Sequence, residues 1–207
     1  MHPEMTITYG IKDGVYVNLT NRCPCACTFC LRANGDGVGS SPSLWLEREP
    51  SLDEVVASLE GWDWTHPGRE CVFCGYGEPT ERLETLLSAA AHMRSAHPGV
   101  PIRVNTNGLA DLIAGEPTAA RFAGLVDTMS ISLNTDDPAE YMALCRPKFG
   151  AAAYPAMLRF AAEVAKVVPR VVMTVVGEPV TPKEKQERCR AIAESLGATL
   201  RVRRYEG

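Results

Sequence analysis

The chain has 207 residues, of which 45% are hydrophobic and 22% are charged. This length suits one domain with a well-buried core, over residues 1–207, and is too short for two ordinary domains and a linker. The composition excludes disorder and collagen-like repeats. The formal net charge of -4 argues against binding nucleic acid through bulk charge, so such binding would need a local basic patch.

The N-terminal residues carry no basic segment followed by an apolar one, and no apolar run reaches the roughly 18 residues of a membrane span. The sequence therefore predicts a cytoplasmic protein. Eight cysteines in a reducing compartment are not expected to form a disulfide framework. Four of them fall within eight residues and predict a metal site: Cys23, Cys25, Cys27 and Cys30.

The first predicted elements are a hairpin and a helix. Residues 7–9 and 15–19 alternate around the turn signal Lys12-Asp13-Gly14, so the second strand runs into the cysteine cluster. Ser51 and Glu54 then form a capping box, which predicts a helix over residues 52–59.

Strands and helices alternate along the rest of the chain. The hydrophobic patterns predict strands over 71–74, 102–105, 128–133, 171–176 and 200–202. Helices are predicted from 83 to about 97, over 117–125 and 151–165, and from 182, with Thr181 as N-cap, to the stop at Gly197. An Asp137-Pro138 pair predicts a short turn.

Roughly six βα repeats predict an α/β fold with a parallel sheet. Six units cannot complete the usual eight-stranded barrel. The sequence therefore predicts a partial (β/α)6 TIM-like barrel with a short N-terminal hairpin. Its active site is expected at the C-terminal ends of the strands.

Cys23, Cys27 and Cys30 have the spacing CxxxCxxC. Three thiolates from one loop can hold three irons of a cubane cluster and leave the fourth iron open to a small molecule. The alternative is a four-cysteine zinc site in which Cys27 and Cys30 join Cys71 and Cys74. That second pair lies far from the first and within a predicted strand, so buried thiols are the favoured interpretation of it.

These cysteines resemble the CxxxCx(aromatic)C signature of the radical S-adenosylmethionine (SAM) enzymes, with Phe29 in the aromatic slot. The run Gly75-Tyr76-Gly77-Glu78-Pro79 is similar to the family's Gly-Gly-Glu-Pro turn after the second strand. Asn105-Thr106-Asn107-Gly108 and Ser130-Ile131-Ser132-Leu133-Asn134 are similar to the segments at its third and fourth strands. The segment FCGYGEPT and the small size of the chain resemble those of a subgroup described as TatD-associated.

The resemblance implies an iron-sulfur cluster on Cys23, Cys27 and Cys30, and SAM bound by a set of contacts around it. Backbone of residues 75–79 would receive the amino group of SAM, and Phe29 would face the adenine. Side chains that would hydrogen-bond the ribose or the methionine carboxylate are Ser132, Asn134, Asn105 and Thr106.

For three residues the sequence leaves two interpretations open. Arg146 either pairs with the methionine carboxylate or is a surface arginine. Glu78 either contacts SAM or holds its turn through backbone amides. Cys25 has no slot in the motif, and inert packing beside the cluster is favoured over replacement of a ligand.

By this resemblance a reduced [4Fe-4S] cluster would cleave SAM into methionine and a 5'-deoxyadenosyl radical. The radical would take hydrogen from an unidentified substrate, either a macromolecule or a compact small molecule. The partner implied is an external one-electron reductant of the flavodoxin or ferredoxin type. The rival hypothesis is a non-catalytic module that holds zinc or an electron-transfer cluster, which has no need of the glycine turn.

Seven basic residues against three acidic ones lie between residues 183 and 204. They form either a patch that faces the phosphates of RNA or a nucleotide, or a solvated helix face with a protected edge strand. The second interpretation is favoured.

Overall fold

Seven strands form one sheet in the order β1 to β7 in the computed structural model, which describes residues 5–33, 35–39 and 41–204. The strands are Thr8–Ile11 (β1), Gly14–Val17 (β2), Glu70–Phe73 (β3), Ile102–Thr106 (β4), Thr128–Ser132 (β5), Arg170–Val176 (β6) and Thr199–Arg203 (β7). β1 pairs antiparallel with β2, and every later neighbour pairs parallel. This order leaves β1 and β7 as the edges, so the barrel is open, as predicted.

Six α-helices lie among the described residues: Leu52–Glu60 (α1), Leu83–Ala96 (α2), Ala110–Ala114 (α3), Pro138–Cys145 (α4), Ala153–Val164 (α5) and Lys183–Ser195 (α6). The predicted capping box is present at α1, where Ser51 Oγ accepts from the Glu54 N–H (3.2 Å) and the Glu54 carboxylate accepts from the Ser51 N–H (2.8 Å). None of these helices has the length and apolar character needed to cross a bilayer.

The core lies between the sheet and the helices, and the strand period of two decides which side chains enter it. In β4, Ile102 and Val104 are buried in this core, whereas Arg103 and Asn105 alternate with them on the other face. The interior face of β4 therefore carries polar side chains, unlike the packed apolar layers that fill a closed TIM barrel. This leaves room for a ligand.

The predicted hairpin and strands are confirmed, whereas one helix prediction and one turn prediction are wrong. Over residues 117–125 the chain forms a short 3-10 turn, Ala119–Phe122, in place of the predicted helix, and the unpredicted helix α3 precedes it. Gly115 (φ 75°) and Gly124 (φ 73°) bracket this segment, and the left-handed backbone at each leaves no room for an α-helix. The predicted short turn after Asp137 is helix α4, because the Asp137 side chain caps it by accepting from the Glu140 N–H (2.7 Å).

The N-cap of α6 also differs from the prediction. Pro182 occupies the cap position and no side chain caps the helix. Thr181 Oγ1 donates instead to the Asn134 carbonyl (3.3 Å). The Thr181 hydroxyl thus forms a tertiary hydrogen bond instead of the helix cap that the sequence pattern predicts.

Candidate active site

A cavity of about 310 Å³ opens at the C-terminal ends of the parallel strands. Its wall includes residues from the predicted motifs of four successive segments: Cys23, Cys27, Phe29, Cys30, Gly75, Tyr76, Gly77, Glu78, Pro79, Asn105, Thr106 and Ser132. A larger groove of about 1090 Å³ lies beside β1 and contains none of the predicted site residues. The chemistry-bearing side chains therefore mark the smaller cavity as the candidate site.

The cysteine loop follows β2 and is fixed to the C-terminal end of α4. The Ala26 N–H donates to the Cys145 carbonyl (3.0 Å) and the Thr28 N–H to the Leu144 carbonyl (2.9 Å). These backbone contacts hold the loop across the end of the barrel. As a result Cys23, Cys27 and Cys30 all face one cavity.

The thiols of this loop interact with one another. Hydrogen bonds with the thiols of Cys145 and Cys25 lower the pKa of Cys27, and a hydrogen bond with Cys25 lowers the pKa of Cys23. The same contacts raise the pKa of Cys25, which is buried and outside the cavity wall. Two predicted ligands are thus biased towards the thiolate, the form that binds metal, and Cys25 is the neutral donor between them.

A three-thiolate cluster site fits this loop better than a single-ion site does. In the described part of the chain, no three His, Cys, Asp or Glu side chains are gathered around a point where one ion could bind. In the four-cysteine zinc alternative, Cys71 is fully buried in β3 and does not border the cavity of Cys27 and Cys30. A cubane cluster does not require the thiolates to converge on one ion, because each of three thiolates from one loop binds its own iron. Three soft donors on one cavity wall meet that requirement.

The glycine turn after β3 packs directly on the cysteine loop. A Cβ at Gly77 would lie 2.2 Å from the Thr20 carbonyl oxygen, and one at Gly75 would lie 2.1 Å from Asn18 Oδ1. Only glycine permits this approach. The Glu78 N–H then donates to the Arg22 carbonyl (2.8 Å). The two motifs are therefore held against each other by backbone contact.

Tyr76 ties the same turn to the glycine-rich segment that follows the cysteines. Its hydroxyl donates to the Gly35 carbonyl (2.6 Å), and its ring lies edge-on to Trp45 at 5.1 Å between centroids. The side chain is buried although it borders the cavity. Tyr76 thus closes one side of the site.

Replacing Tyr76 by phenylalanine should destabilise this closure and leave the fold intact. The substitution keeps the ring and its packing but leaves the Gly35 carbonyl without its donor, a loss of about 1 kcal/mol. Limited proteolysis should then cut the segment near Gly35 faster than in the wild type. Unchanged cleavage would show that the hydroxyl does not hold the segment.

Glu78 joins the turn after β3 to the turn after β4. Oε1 accepts from the Thr80 N–H (3.1 Å), Thr80 Oγ1 (2.8 Å) and Thr106 Oγ1 (2.7 Å), and Oε2 accepts from the Asn107 N–H (2.7 Å). The side chain is 4% exposed, and this burial raises the pKa of its carboxyl group. The contacts match the alternative in which Glu78 holds its turn.

Replacing Glu78 by glutamine should cost about 2 kcal/mol of unfolding free energy, because the new amide N–H group faces hydrogen-bond donors. The raised pKa of Glu78 also predicts the pH dependence. A group whose pKa is raised on folding stabilises the fold below its unfolded pKa, and this stability is lost as the pH rises through the folded pKa. The deficit of the variant should therefore shrink as the pH rises from the acid side, which urea unfolding of cluster-free protein would measure. A deficit that grows with pH would contradict this sign.

Two of the predicted SAM contacts do not reach the cavity wall. Asn134 is buried with a left-handed backbone (φ 66°), and its Nδ2 donates to Cys145 Sγ (3.2 Å). Arg146 ends α4 in the same left-handed conformation (φ 46°) and its side chain is exposed. Arg146 thus has the position of a surface arginine.

The remaining polar residues of β4 and β5 do face the cavity. Asn105 Oδ1 is buried and has no hydrogen-bond partner among the described residues, although the side chain borders the cavity. An orphaned acceptor at this position is suited to a donor group of a bound ligand. Ser132 borders the cavity one strand further along the sheet.

Several residues of the cavity wall are outside the predicted set: Tyr9, Tyr16, Asn107, Ser130, Thr174, Arg201 and Arg203. Asn107 Nδ2 lies 3.9 Å from the sulfurs of Cys23 and Cys25. The period-two alternation of β5, β6 and β7 carries the signal for Ser130, Thr174, Arg201 and Arg203, because it assigns them to one face of each strand.

The basic run near the C-terminus does not form one patch. On α6, Lys185 pairs with Glu140 (2.5 Å) and Arg188 pairs with Asp136. Arg201 and Arg203 lie on β7 and border the cavity. The helix charges are thus neutralised by neighbours, and the strand charges belong to the barrel interior.

Comparison with known proteins identifies the family of this chain. A family model described as the radical SAM superfamily matches residues 17–195. Two similar curated proteins are both named GTP 3',8-cyclase. The one from Corynebacterium glutamicum (strain R) is 36% identical over 66% of this chain and 34% of its own length, and the one from Mycobacterium marinum is 34% identical over 63% and 33%. The chain thus spans about a third of the length of these relatives.

Solved structures share the fold. A radical SAM methyltransferase from Sphaerobacter thermophilus has a TM-score of 0.62 at 19% identity, covering 95% of this chain and 57% of its own. Streptococcus suis SuiB bound to S-adenosylmethionine has a TM-score of 0.64 at 15% identity, covering 92% and 38%. At these identities the likeness shows the fold.

Enzymes of this class carry a [4Fe-4S] cluster, bind SAM and draw an electron from an external reductant. The family model covers most of the chain, including the cysteine loop, the glycine turn and the three strands β4, β5 and β6 that follow them. The chain therefore belongs to the radical SAM superfamily and is an enzyme of that class, with a [4Fe-4S] cluster and SAM as its cofactors.

Proposed function

We propose that this chain generates a 5'-deoxyadenosyl radical at the mouth of its barrel and uses it to abstract hydrogen from a substrate bound in the lumen. When bound and reduced, the cluster supplies the electron that cleaves SAM into methionine and that radical. One observation carries the proposal. Three thiols of one loop, the glycine turn and the polar ends of β4 and β5 border a single cavity.

Cys23, Cys27 and Cys30 are the proposed ligands of three irons, and the fourth iron is left for SAM. The proposed SAM contacts are the backbone of residues 75–79, the ring of Phe29 for adenine, and Ser132, Asn105 and Thr106 for polar groups. Asn105 Oδ1 is the best supported of these contacts, since the described part of the chain offers it no hydrogen-bond partner. Asn134 and Arg146 are not in the proposed set, because neither borders the cavity.

Glu78 and Tyr76 have structural roles in the proposed site. Glu78 holds its turn against the β4 turn, and Tyr76 closes the cavity beside the cysteines. Such fixed walls exclude water from a reactive intermediate and orient the target C–H bond. A protein electron donor of the flavodoxin or ferredoxin type is the proposed reductant.

Anaerobic reconstitution with iron and sulfide tests the proposal. The expected result is a brown protein whose visible absorbance changes on addition of SAM and which forms 5'-deoxyadenosine after reduction with dithionite. GTP is the first substrate to add, because the curated relatives are named for it. Colourless protein with one bound zinc would overturn the proposal in favour of the non-catalytic module.

A further inference from the structure

Arginines from three strands share the interior face of the barrel. The strand registers place Arg103 of β4 beside Thr128 of β5, and Thr128 beside Arg170 of β6. Four residues further along β6, Thr174 lies beside Arg201 of β7, and Arg203 follows two residues later. Positively charged side chains are thus distributed along the lumen up to the cavity that the cysteine loop borders.

Only part of this charge is neutralised inside the protein. Arg103 forms a two-point ion pair with Glu70 (2.8 and 3.1 Å). Arg201 has no ion pair with any described carboxylate, and its nearest polar contact is Ser130 Oγ at 3.5 Å. Partial desolvation and the charges of Arg103, Arg203 and Arg170 together lower the pKa of Arg201. Like charges that crowd a partly desolvated lumen are stabilised by an anion from outside the chain.

The position of Arg201 connects this charge to the proposed radical site. Arg201 and Ser130 border the cavity that holds the cysteine thiols, and they also border a second cavity of about 430 Å³ towards the N-terminal ends of the strands. Arg203 borders the first of these cavities. The Cα atoms of Arg201 and Arg203 are about 7 Å apart along β7, since a strand rises about 3.3 Å per residue.

We propose that Arg201 and Arg203 form an oxyanion subsite that binds the phosphate groups of a small phosphorylated substrate inside the barrel. Guanidinium groups bind phosphate oxygens in a two-point geometry. Two of them in succession suit a chain of phosphates better than one carboxylate. This inference rests on the proposed function for the reaction of the bound substrate. The binding of an anion depends on the fold alone.

Two other interpretations of these arginines fit the structure less well. Charges that protect an edge strand from aggregation are placed at its open edge, but Arg201 and Arg203 border the interior cavity. A binding surface for RNA would need the basic residues of α6 to extend the patch. Lys185 and Arg188 are instead paired with Glu140 and Asp136.

Titration calorimetry with inorganic tripolyphosphate tests the subsite on cluster-free and cluster-loaded protein. Wild-type protein should bind, and Arg201→Gln or Arg203→Gln should each weaken binding about tenfold or more, the loss expected for one charged hydrogen-bonded partner. Arg190→Gln is the matched control. It removes the same charge from the outer side of α6, where Arg190 pairs with Glu187 (3.4 Å), and should leave the affinity unchanged. Thermal unfolding of each variant verifies its fold.

The outcomes separate the subsite from the radical function. If wild-type protein forms 5'-deoxyadenosine but tripolyphosphate binds equally to all four proteins, or to none, the subsite is overturned and the radical function stands. If no cluster assembles but binding depends on Arg201 and Arg203, the subsite stands alone. A single-stranded RNA that binds far more tightly than tripolyphosphate, with the same dependence on Arg201, would overturn the small substrate in favour of a nucleic acid.

Discussion

Replacing Cys30 by alanine is expected to give a folded protein that no longer retains the cluster and forms no 5'-deoxyadenosine. Loss of a group that only supports a metal ligand costs 10–100-fold in metal affinity, so loss of a ligand should cost more than about 100-fold. Cys30 is the best choice of the three proposed ligands, because Cys23 and Cys27 pack against the hydrophobic core and Cys30 does not. Iron and sulfide content after reconstitution, together with the thermal unfolding curve, measures both parts of this expectation.

Two further cysteines serve as controls for this substitution. Cys25→Ala should still bind iron, with an affinity lowered by no more than about 100-fold, since Cys25 is buried outside the cavity wall and supports Cys23 and Cys27 rather than binding iron itself. Cys71→Ala should retain it as well, because Cys71 is fully buried in β3. Loss of iron in the first variant would make Cys25 a ligand, and loss of metal in the second would revive the four-cysteine zinc site.

The architecture was accessible from the sequence because the strands carry a strong period-two signal and the hairpin a strong turn signal. The helices between β4 and β6 were less accessible. Asp137-Pro138 is a turn signal and an N-cap signal at once, and only tertiary packing decides between the two. The same limit applies to Thr181, whose hydroxyl donates to the Asn134 carbonyl, just after the neighbouring strand β5, rather than capping its own helix.

The gathering of the motifs at one cavity follows from the fold, since the C-terminal ends of parallel strands meet at one end of a barrel. The positions of Asn134 and Arg146 do not follow from it. Both have left-handed backbones that turn the chain just beyond the strand or helix, which no residue pattern announced. Arg201 and Arg203 were missed for the opposite reason. They stand in a run of charges that resembles a solvated surface. The period of two places both on one face of β7, and the register of β7 on β6 shows that this face is the lumen.

The close contact between the glycine turn and the cysteine loop predicts the second large effect. Replacing Gly77 by alanine should destabilise the fold by about 3 kcal/mol or more, the range of severe backbone and packing defects. The new Cβ would lie 2.2 Å from the Thr20 carbonyl oxygen and 2.6 Å from that of Arg22. Both are backbone atoms, so a side-chain rotation cannot relieve the contact. For a chain of this size the melting temperature should fall by about 10 °C.

The same substitution should also impair cluster assembly, because the loop that moves away from Gly77 carries Cys23 and Cys27. Gly35→Ala is the matched control. A Cβ at Gly35 would meet nothing within 4 Å and its backbone is not left-handed, so its effect should stay within about 0.5 kcal/mol. Melting curves of both cluster-free variants and their iron content after reconstitution decide the matter. Equal stability of the two variants would mean that the turn and the loop do not lie in backbone contact, and the glycines would then need another explanation.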